Sequence, residues 1–198
     1  MKPQKAYFII LLLFFIWSCN TNKKESKEIL QETVKAVKKV PKSNDFRERL
    51  KTTEPTTEAQ LQNWLPENLG DFKRETFTTS RISQNDIASA GAIYKNDENH
   101  KLEISIVDGA SKDGLLAINT HYMAQNMKHS NTNSSGYEKT YERNGLKVLE
   151  TYVKKDNFYR VLFLYDMRFG ITVESYGLSN DELWHAIKKL DKSELNNL

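Results

Sequence analysis

Residues 158–165 have the sequence Phe-Tyr-Arg-Val-Leu-Phe-Leu-Tyr. Apolar or aromatic side chains occupy nearly both faces of this segment, which predicts a central strand buried in a sheet. The dipeptides Asn144-Gly145 and Asp156-Asn157 have the chemistry of short hairpin turns and connect strands that are neighbours along the chain. Four consecutive strands are predicted, over residues 137–143, 147–154, 158–165 and 169–176.

The preceding chain predicts two helices and three more strands. Thr57-Glu-Ala-Gln60 is a capping box that opens a short helix, and Pro66 ends it. Strands are predicted over residues 73–79, 91–95 and 102–107. A longer helix over 113–128, N-capped by Asp113, then carries an apolar stripe on one side. The polar run 129–136 is rich in Ser and Asn and is predicted to be a loop.

A second capping box, Ser179-Asn-Asp-Glu182, opens a final helix with Leu183 facing inward. The order is therefore helix, three strands, helix, four strands, helix. Hairpin connections favour antiparallel pairing, so residues 57–198 are predicted to form an α+β domain, in which helices lie on a single, mostly antiparallel twisted sheet of about seven strands. This stretch is long enough to bury one hydrophobic core.

The element order resembles that of the PsbP-like α/β sandwich, a fold of exported binding and accessory proteins. The segment from Ser179 to Leu183 and the Leu65-Pro66-Glu67 turn are similar to those of small uncharacterised lipoproteins of Bacteroidetes type. The resemblance implies a binding or accessory function for the domain. It includes no catalytic signature and transfers no functional residue.

The start of the chain has the features of an export signal. Lys2 and Lys5 precede an apolar run from Ala6 to Trp17, which is shorter than the ~20 residues of a membrane-spanning helix. Because the run leads into Ser18-Cys19, residues 1–18 resemble a bacterial lipoprotein signal peptide, although Trp17 stands where a small residue is usual. The other interpretation is an ordinary signal-peptidase site beside a chance cysteine.

Cys19 is the single cysteine of the chain, so no intramolecular disulfide is expected. In the lipoprotein interpretation Cys19 is the lipid attachment site, and acyl chains such as palmitate hold the protein on a membrane without crossing it. Asn20 occupies the position at which Asp retains lipoproteins at the inner membrane of enteric bacteria. We therefore expect a lipid-anchored protein of the cell envelope, on the periplasmic face of the outer membrane.

Residues 19–56 are predicted to be a charged, partly helical tether. They contain one aromatic residue, Phe46, and no glycine, and an apolar stripe from Ile29 to Val40 stops at Pro41. This tether holds ten Lys/Arg against six Asp/Glu, whereas residues 57–198 hold 17 against 20. The positive charge either contacts anionic headgroups or keeps the tether solvated, and the second interpretation is favoured. A mildly acidic domain argues against nucleic acid as a partner.

The sequence contains no recognisable catalytic, metal-binding or phosphate-binding motif. His121 and His129 are eight residues apart, which is the wrong spacing for two metal ligands on one helix. No nucleophile has a base at a recognisable spacing, and no glycine-rich pattern predicts a phosphate site. The sequence therefore predicts no catalytic residue, no metal site and no cofactor.

One unusual feature is a pair of amides in the apolar stripe of the predicted helix 113–128. Asn119 and Asn126 accompany Tyr122 and Met123 there, and a buried amide must find hydrogen-bond partners. Either each amide bonds a nearby backbone carbonyl, or these four residues line a cleft suited to a peptide or lipid.

Three functions are compatible with the sequence. The leading hypothesis is a membrane-anchored, non-catalytic binding or accessory module whose partner is an envelope protein. The second is a carrier or sensor of a small apolar ligand, with its pocket between the helix over 113–128 and the sheet. The third is a hydrolase of envelope polymers, for which carboxylates clustered in a cleft would be the structural evidence.

Overall fold

The computed structural model describes residues 45–78 and 87–198. The predicted signal peptide, Cys19 and the tether up to residue 44 lie outside the described residues. A compact unit spans Phe46–Leu198. Residues 46–56, which the sequence analysis placed in the tether, pack on this unit: helix α1 (Asp45–Thr52) buries Leu50 to 1% exposure.

The described chain contains nine strands, five α-helices and a C-terminal 3-10 helix over Lys192–Asn197. The strands are β1 (Asn68–Leu69), β2 (Phe72–Thr78), β3 (Ser89–Lys95), β4 (Lys101–Asp108), β5 (Ser130–Asn133), β6 (Gly136–Arg143), β7 (Leu146–Val153), β8 (Phe158–Tyr165) and β9 (Phe169–Tyr176). The helices after α1 are α2 (Glu58–Trp64), α3 (Ser111–Ala117), α4 (Asn119–Asn126) and α5 (Asn180–Lys189).

All nine strands form one open antiparallel sheet in the order β1-β2-β3-β4-β9-β8-β7-β6-β5. The first four strands are one run of hairpins and the last five are another. The two runs meet where β4 pairs with β9, and helices α3 and α4 lie in the connection between them. The predicted α+β class with a single antiparallel sheet is therefore confirmed, and 158–165 forms an interior strand.

The predicted number of strands was wrong, because the sheet has nine rather than seven. The first additional strand, β1, has two residues and pairs with β2 around Gly70, whose positive φ of 64° suits a tight turn. The second, β5, lies within the predicted loop 129–136 and pairs with β6 at the sheet edge. All four side chains of β5 are exposed, so it lacks the alternation of polar and apolar residues by which strands are recognised.

The predicted helix over 113–128 is two helices, which meet at buried Ile118 with ψ near 0°. The first begins before Asp113, and Ser111 Oγ accepts a hydrogen bond from Gly114 N at its start. Both predicted capping boxes are present, at Thr57 and at Ser179.

Helices cover both faces of the sheet. On one face, here called the α5 face, α2 and α5 bury Trp64, Leu183 and Trp184 against the large core that includes Ile104 and Val161. On the opposite α4 face, a smaller cluster joins α1 and the α3–α4 pair to the sheet. It consists of Leu50, Val107, Ile118 and Leu164. Beyond this cluster the α4 face carries polar side chains.

Candidate ligand pocket

A pocket of about 320 Å³ lies on the α4 face, between the α3–α4 pair and strands β2, β3, β4, β8 and β9. We call it the α4 pocket. Its polar lining includes Glu103, Ser105, His121, Arg160, Thr172 and Glu174. Pockets that hold small organic ligands start at about 300 Å³. The α4 pocket is therefore large enough for one small molecule.

The register of the sheet brings the charged groups of the pocket together. Glu103 on β4 lies directly opposite Glu174 on β9, and Glu174 lies opposite Arg160 on β8. Along each strand these residues alternate with side chains of the main core, so they project from the α4 face. Ser105 and Thr172 are partners one step along the same two strands, which adds two hydroxyl groups beside the charges.

Both carboxylates form ion pairs. Arg160 Nε lies 2.8 Å from Glu174 Oε1, and Lys101 Nζ lies 3.3 Å from Glu103 Oε2. The Glu174 side chain is 7% exposed, whereas that of Arg160 is 45% exposed. The pocket thus brings two carboxylates together on neighbouring strands, and each of them is paired with a cation.

His121 of α4 forms the helical wall of the pocket and is 8% exposed. Its ring lies over Gly170, where an added Cβ would come within 2.7 Å of Nδ1, so a glycine is needed at that position. Its Nε2 lies 3.0 Å from Thr172 Oγ1. Burial lowers the pKa of His121 to about 4, so the ring is neutral at physiological pH.

The tautomer of His121 follows from its neighbours. Nδ1 is buried and has no hydrogen-bond partner among the described residues. A hydrogen there would be an unpaired buried donor, so the hydrogen belongs on Nε2, where it is donated to Thr172 Oγ1. Nδ1 then presents a bare lone pair, and Thr172 retains its own hydroxyl hydrogen for another acceptor.

The four residues of the sequence-predicted cleft do not line the α4 pocket. They form two pairs along α4: Asn126 Nδ2 donates to Tyr122 O at 2.8 Å, and Asn119 Nδ2 donates to Met123 Sδ at 3.8 Å. Asn119, Met123 and Asn126 are exposed, and half-buried Tyr122 stacks on Phe46 with a centroid separation of 5.3 Å. Asn126 therefore makes the backbone bond that the simpler interpretation expects, although within its own helix.

Sequence reasoning missed the residues that line the pocket. Arg160 could have indicated a polar site, because it is the charged residue within an otherwise apolar or aromatic strand segment. Glu103 and Glu174 appear in the sequence as ordinary outward-facing positions, and only the β4·β9 pairing brings them together. His121 was considered only as a metal ligand. Within 45–78 and 87–198, no three His, Cys, Asp or Glu side chains group as a metal site requires.

Comparisons with protein-family models, with curated proteins and with solved structures returned no match. None of the helices described here combines the length and the apolar character needed to span a bilayer.

Proposed function

We propose that this protein is a lipid-anchored binding module of the cell envelope that holds a small polar ligand in the α4 pocket and performs no chemistry on it. The observation that carries the proposal is the pocket itself. Among the described residues, a volume of about 320 Å³ is lined by two carboxylates, a guanidinium and three hydroxyl groups from the sheet, and by a neutral imidazole from α4. The lipid anchor is supported by the signal-like sequence that ends in Cys19.

The polar lining favours a polar ligand over an apolar one. The α4 pocket lies between the α3–α4 pair and the sheet. An apolar ligand there would lie against charged and hydroxyl groups to which it offers no hydrogen bond, which is unfavourable.

An envelope hydrolase is a second candidate, favoured by the direct opposition of Glu103 and Glu174 inside the pocket. Paired carboxylates serve as acid and base in glycoside hydrolysis. The test is release of reducing ends from purified envelope polysaccharide by the wild-type protein, by Glu103→Gln and by Glu174→Gln. Turnover that both substitutions abolish would replace binding by catalysis as the function.

The anchoring part of the proposal is tested by membrane fractionation. Wild-type protein is expected to sediment with membranes and to leave them on detergent treatment, whereas Cys19→Ala is expected in the soluble fraction. Cys19→Ala that remains with membranes, or wild-type protein that is soluble without detergent, would contradict a lipid anchor.

The binding part is tested by thermal unfolding of the full-length protein with cationic, anionic and neutral small molecules at millimolar concentration. A ligand of the pocket should raise the Tm of the wild type, since binding to the folded state stabilises it. The increase should be smaller for Thr172→Val, which removes a pocket hydroxyl. Thr151→Val is the matched control, because Thr151 Oγ1 bonds Glu138 Oε2 outside the pocket. No increase with any class of molecule would contradict the proposal.

A further inference from the structure

We propose that the outer side of the α3–α4 pair contacts the membrane and inserts Leu116, Met123 and Met127 into the headgroup boundary of an anionic phospholipid bilayer. We call these three side chains the outer stripe. The inference goes beyond ligand binding in the α4 pocket. It rests on the anchoring part of the proposed function, because the lipid anchor brings the domain to a membrane.

Helices α3 and α4 present one continuous outer side. The backbone ladder continues through their junction, where Ile118 N donates to Gly114 O at 3.1 Å and Tyr122 N donates to Ile118 O at 2.9 Å. The buried positions recur at helical spacing and face the sheet; they are Gly114, Ile118, His121 and Ala124. The outer stripe occupies exposed positions between them, so it lies on the side of the helices turned away from the sheet.

The apolar side chains of the outer stripe are exposed to solvent. Leu116 is 73% exposed, Met123 49% and Met127 37%. They are three of the five large apolar side chains that are exposed in the described part of the chain, and the other two, Phe77 and Tyr176, each pack against a cation. Exposed apolar side chains that cluster within a polar surround mark an interaction surface.

Basic side chains lie at both ends of the outer stripe. Lys112 lies one helical turn before Leu116, Lys128 directly follows the last residue of the stripe, and both lysines are exposed. Helix α1 and the segment 111–128 together hold five Lys/Arg against three Asp/Glu, whereas the domain from residue 57 onward has an excess of acidic residues. This helical layer is therefore positive on a mildly acidic domain, and its charge is complementary to anionic headgroups.

The proposed anchor is attached to the domain on the same side. The described chain begins at Asp45 in α1, and Phe46 stacks on Tyr122 of α4 with a centroid separation of 5.3 Å. The Arg47 guanidinium also lies over the Tyr122 ring, with its Cζ 4.5 Å from the centroid. Tyr122 directly precedes Met123 of the outer stripe. The segment that leads to Cys19 therefore leaves the domain beside this surface.

The composition of the surface favours a bilayer over a protein partner. Stable protein interfaces depend on buried aromatic or arginine anchors, whereas the outer stripe consists of one leucine and two methionines. Helices that lie in a membrane interface combine an apolar side with basic residues, and their affinity grows with the apolar area they bury. Three side chains bind weakly alone, but an anchored domain meets the bilayer at a high effective concentration.

Insertion is measured by electron paramagnetic resonance of the full-length protein in vesicles of phosphatidylethanolamine and phosphatidylglycerol. Because Cys19 is the single cysteine and is lipidated in the anchored form, an introduced cysteine is the one site for a nitroxide label. The label in Met123→Cys should be more accessible to oxygen than to a water-soluble nickel complex. The matched control is His185→Cys, at an exposed position of α5 on the opposite face, and its label should remain accessible to nickel.

Two changes test the apolar and the basic parts of the surface. Leu116→Ser, made in the Met123→Cys protein, should lower the oxygen-to-nickel accessibility ratio severalfold, whereas Phe77→Ser, at an exposed apolar position on β2, should not change it. Replacing both lipids with phosphatidylcholine should also lower the ratio, because Lys112 and Lys128 then meet no anionic headgroup. A ratio that is unchanged in Leu116→Ser, or equal in the two kinds of vesicle, would contradict the proposed surface.

The possible results separate this surface from the anchor. If the protein floats with the vesicles but the labels in Met123→Cys and His185→Cys are equally accessible to nickel, the anchor stands and the membrane surface is wrong. If the wild-type protein does not float with vesicles, both the anchor and the surface are wrong. If the label in Met123→Cys is immobilised and shielded from both oxygen and nickel, protein covers the outer stripe, and the bilayer is overturned as its partner.

Discussion

Trp184 of α5 donates a hydrogen bond from Nε1 to Glu150 Oε2 on β7, at 2.9 Å, in the interior of the protein. Glu150 is 1% exposed. Its carboxylate also accepts hydrogen bonds from the hydroxyls of Tyr137 and Tyr141 and from Asn180 Nδ2. Burial disfavours the charge, but these hydrogen bonds outweigh it and hold the pKa of Glu150 below its ordinary value. A buried anion with four neutral donors therefore fixes the last helix to the sheet.

Substitution Glu150→Gln is expected to lower the free energy of unfolding by ~3 kcal/mol, because the amide nitrogen would face donors that need an acceptor. Urea denaturation measures the change. Glu142→Gln, at an exposed position on the neighbouring strand β6, is the control and should change stability by less than ~0.5 kcal/mol. Equal stability of Glu150→Gln and wild type would show that this network does not hold α5 in place.

Asp108 and Arg168 join the segment after α1 to the sheet. Asp108 is fully buried, accepts two hydrogen bonds from Arg168 at 2.7 and 2.8 Å, and accepts two more from Thr56. Asp108→Asn is expected to cost ~3 kcal/mol, since it leaves the Arg168 guanidinium, on a side chain only 14% exposed, without its counter-ion. Hydrogen exchange should also become faster at the Thr56 amide. Asp97→Asn, in the exposed β3–β4 turn, should change neither quantity. Unchanged exchange at Thr56 in Asp108→Asn would contradict this role.

The stability of the protein should depend on the protonation of His121. The unfolded chain binds a proton at His121 below about pH 6.5, whereas burial lowers the pKa in the folded state to about 4. The unfolded state therefore binds more protons between these values, and stability falls by ~3 kcal/mol as the pH drops from 6.5 to 4. His121→Gln should remove most of this slope, and His185→Gln, at an exposed position, should leave it intact. Stability profiles against pH that coincide for all three proteins would contradict a buried neutral His121.

Gly170 and His121 should be energetically coupled. An added Cβ at Gly170 would lie 2.7 Å from His121 Nδ1, so Gly170→Ala should displace the ring and cost about 1–3 kcal/mol. In His121→Ala the space above Gly170 is empty, and adding Gly170→Ala should then cost much less. A double-mutant cycle by chemical denaturation measures the coupling. Additive effects would contradict direct contact between the ring and the strand.

Individual strands, hairpin turns and helix starts were predicted well from the sequence, because each depends on only a few neighbouring residues. The apolar segment 158–165, the two hairpin dipeptides and the capping boxes at Thr57 and Ser179 each specify structure over a few residues, and all correspond to observed elements. Strand β5 escaped prediction because its side chains are all exposed.

The α4 pocket could not be predicted from local sequence patterns. It depends on the pairing of β4 with β9, two strands far apart in sequence, and on the register that places Glu103 opposite Glu174. Neither hairpin chemistry nor periodicity fixes that register. The packing of α1 was not predicted for a related reason. Phe46 and Leu50 are isolated apolar residues in a charged stretch, and their role in the core is evident only from the fold, which brings them into one cluster with Tyr122 and Leu164.

The most direct test of the ligand pocket is nuclear magnetic resonance of protein labelled with ¹⁵N at its four histidines, titrated with small molecules of the three charge classes. A ligand in the α4 pocket should shift the ring resonances of His121 in a saturable manner and leave those of exposed His185 unchanged. If a ligand binds while His121 is unaffected, or if no molecule shifts His121 at all, the assignment of a binding function to this pocket is contradicted.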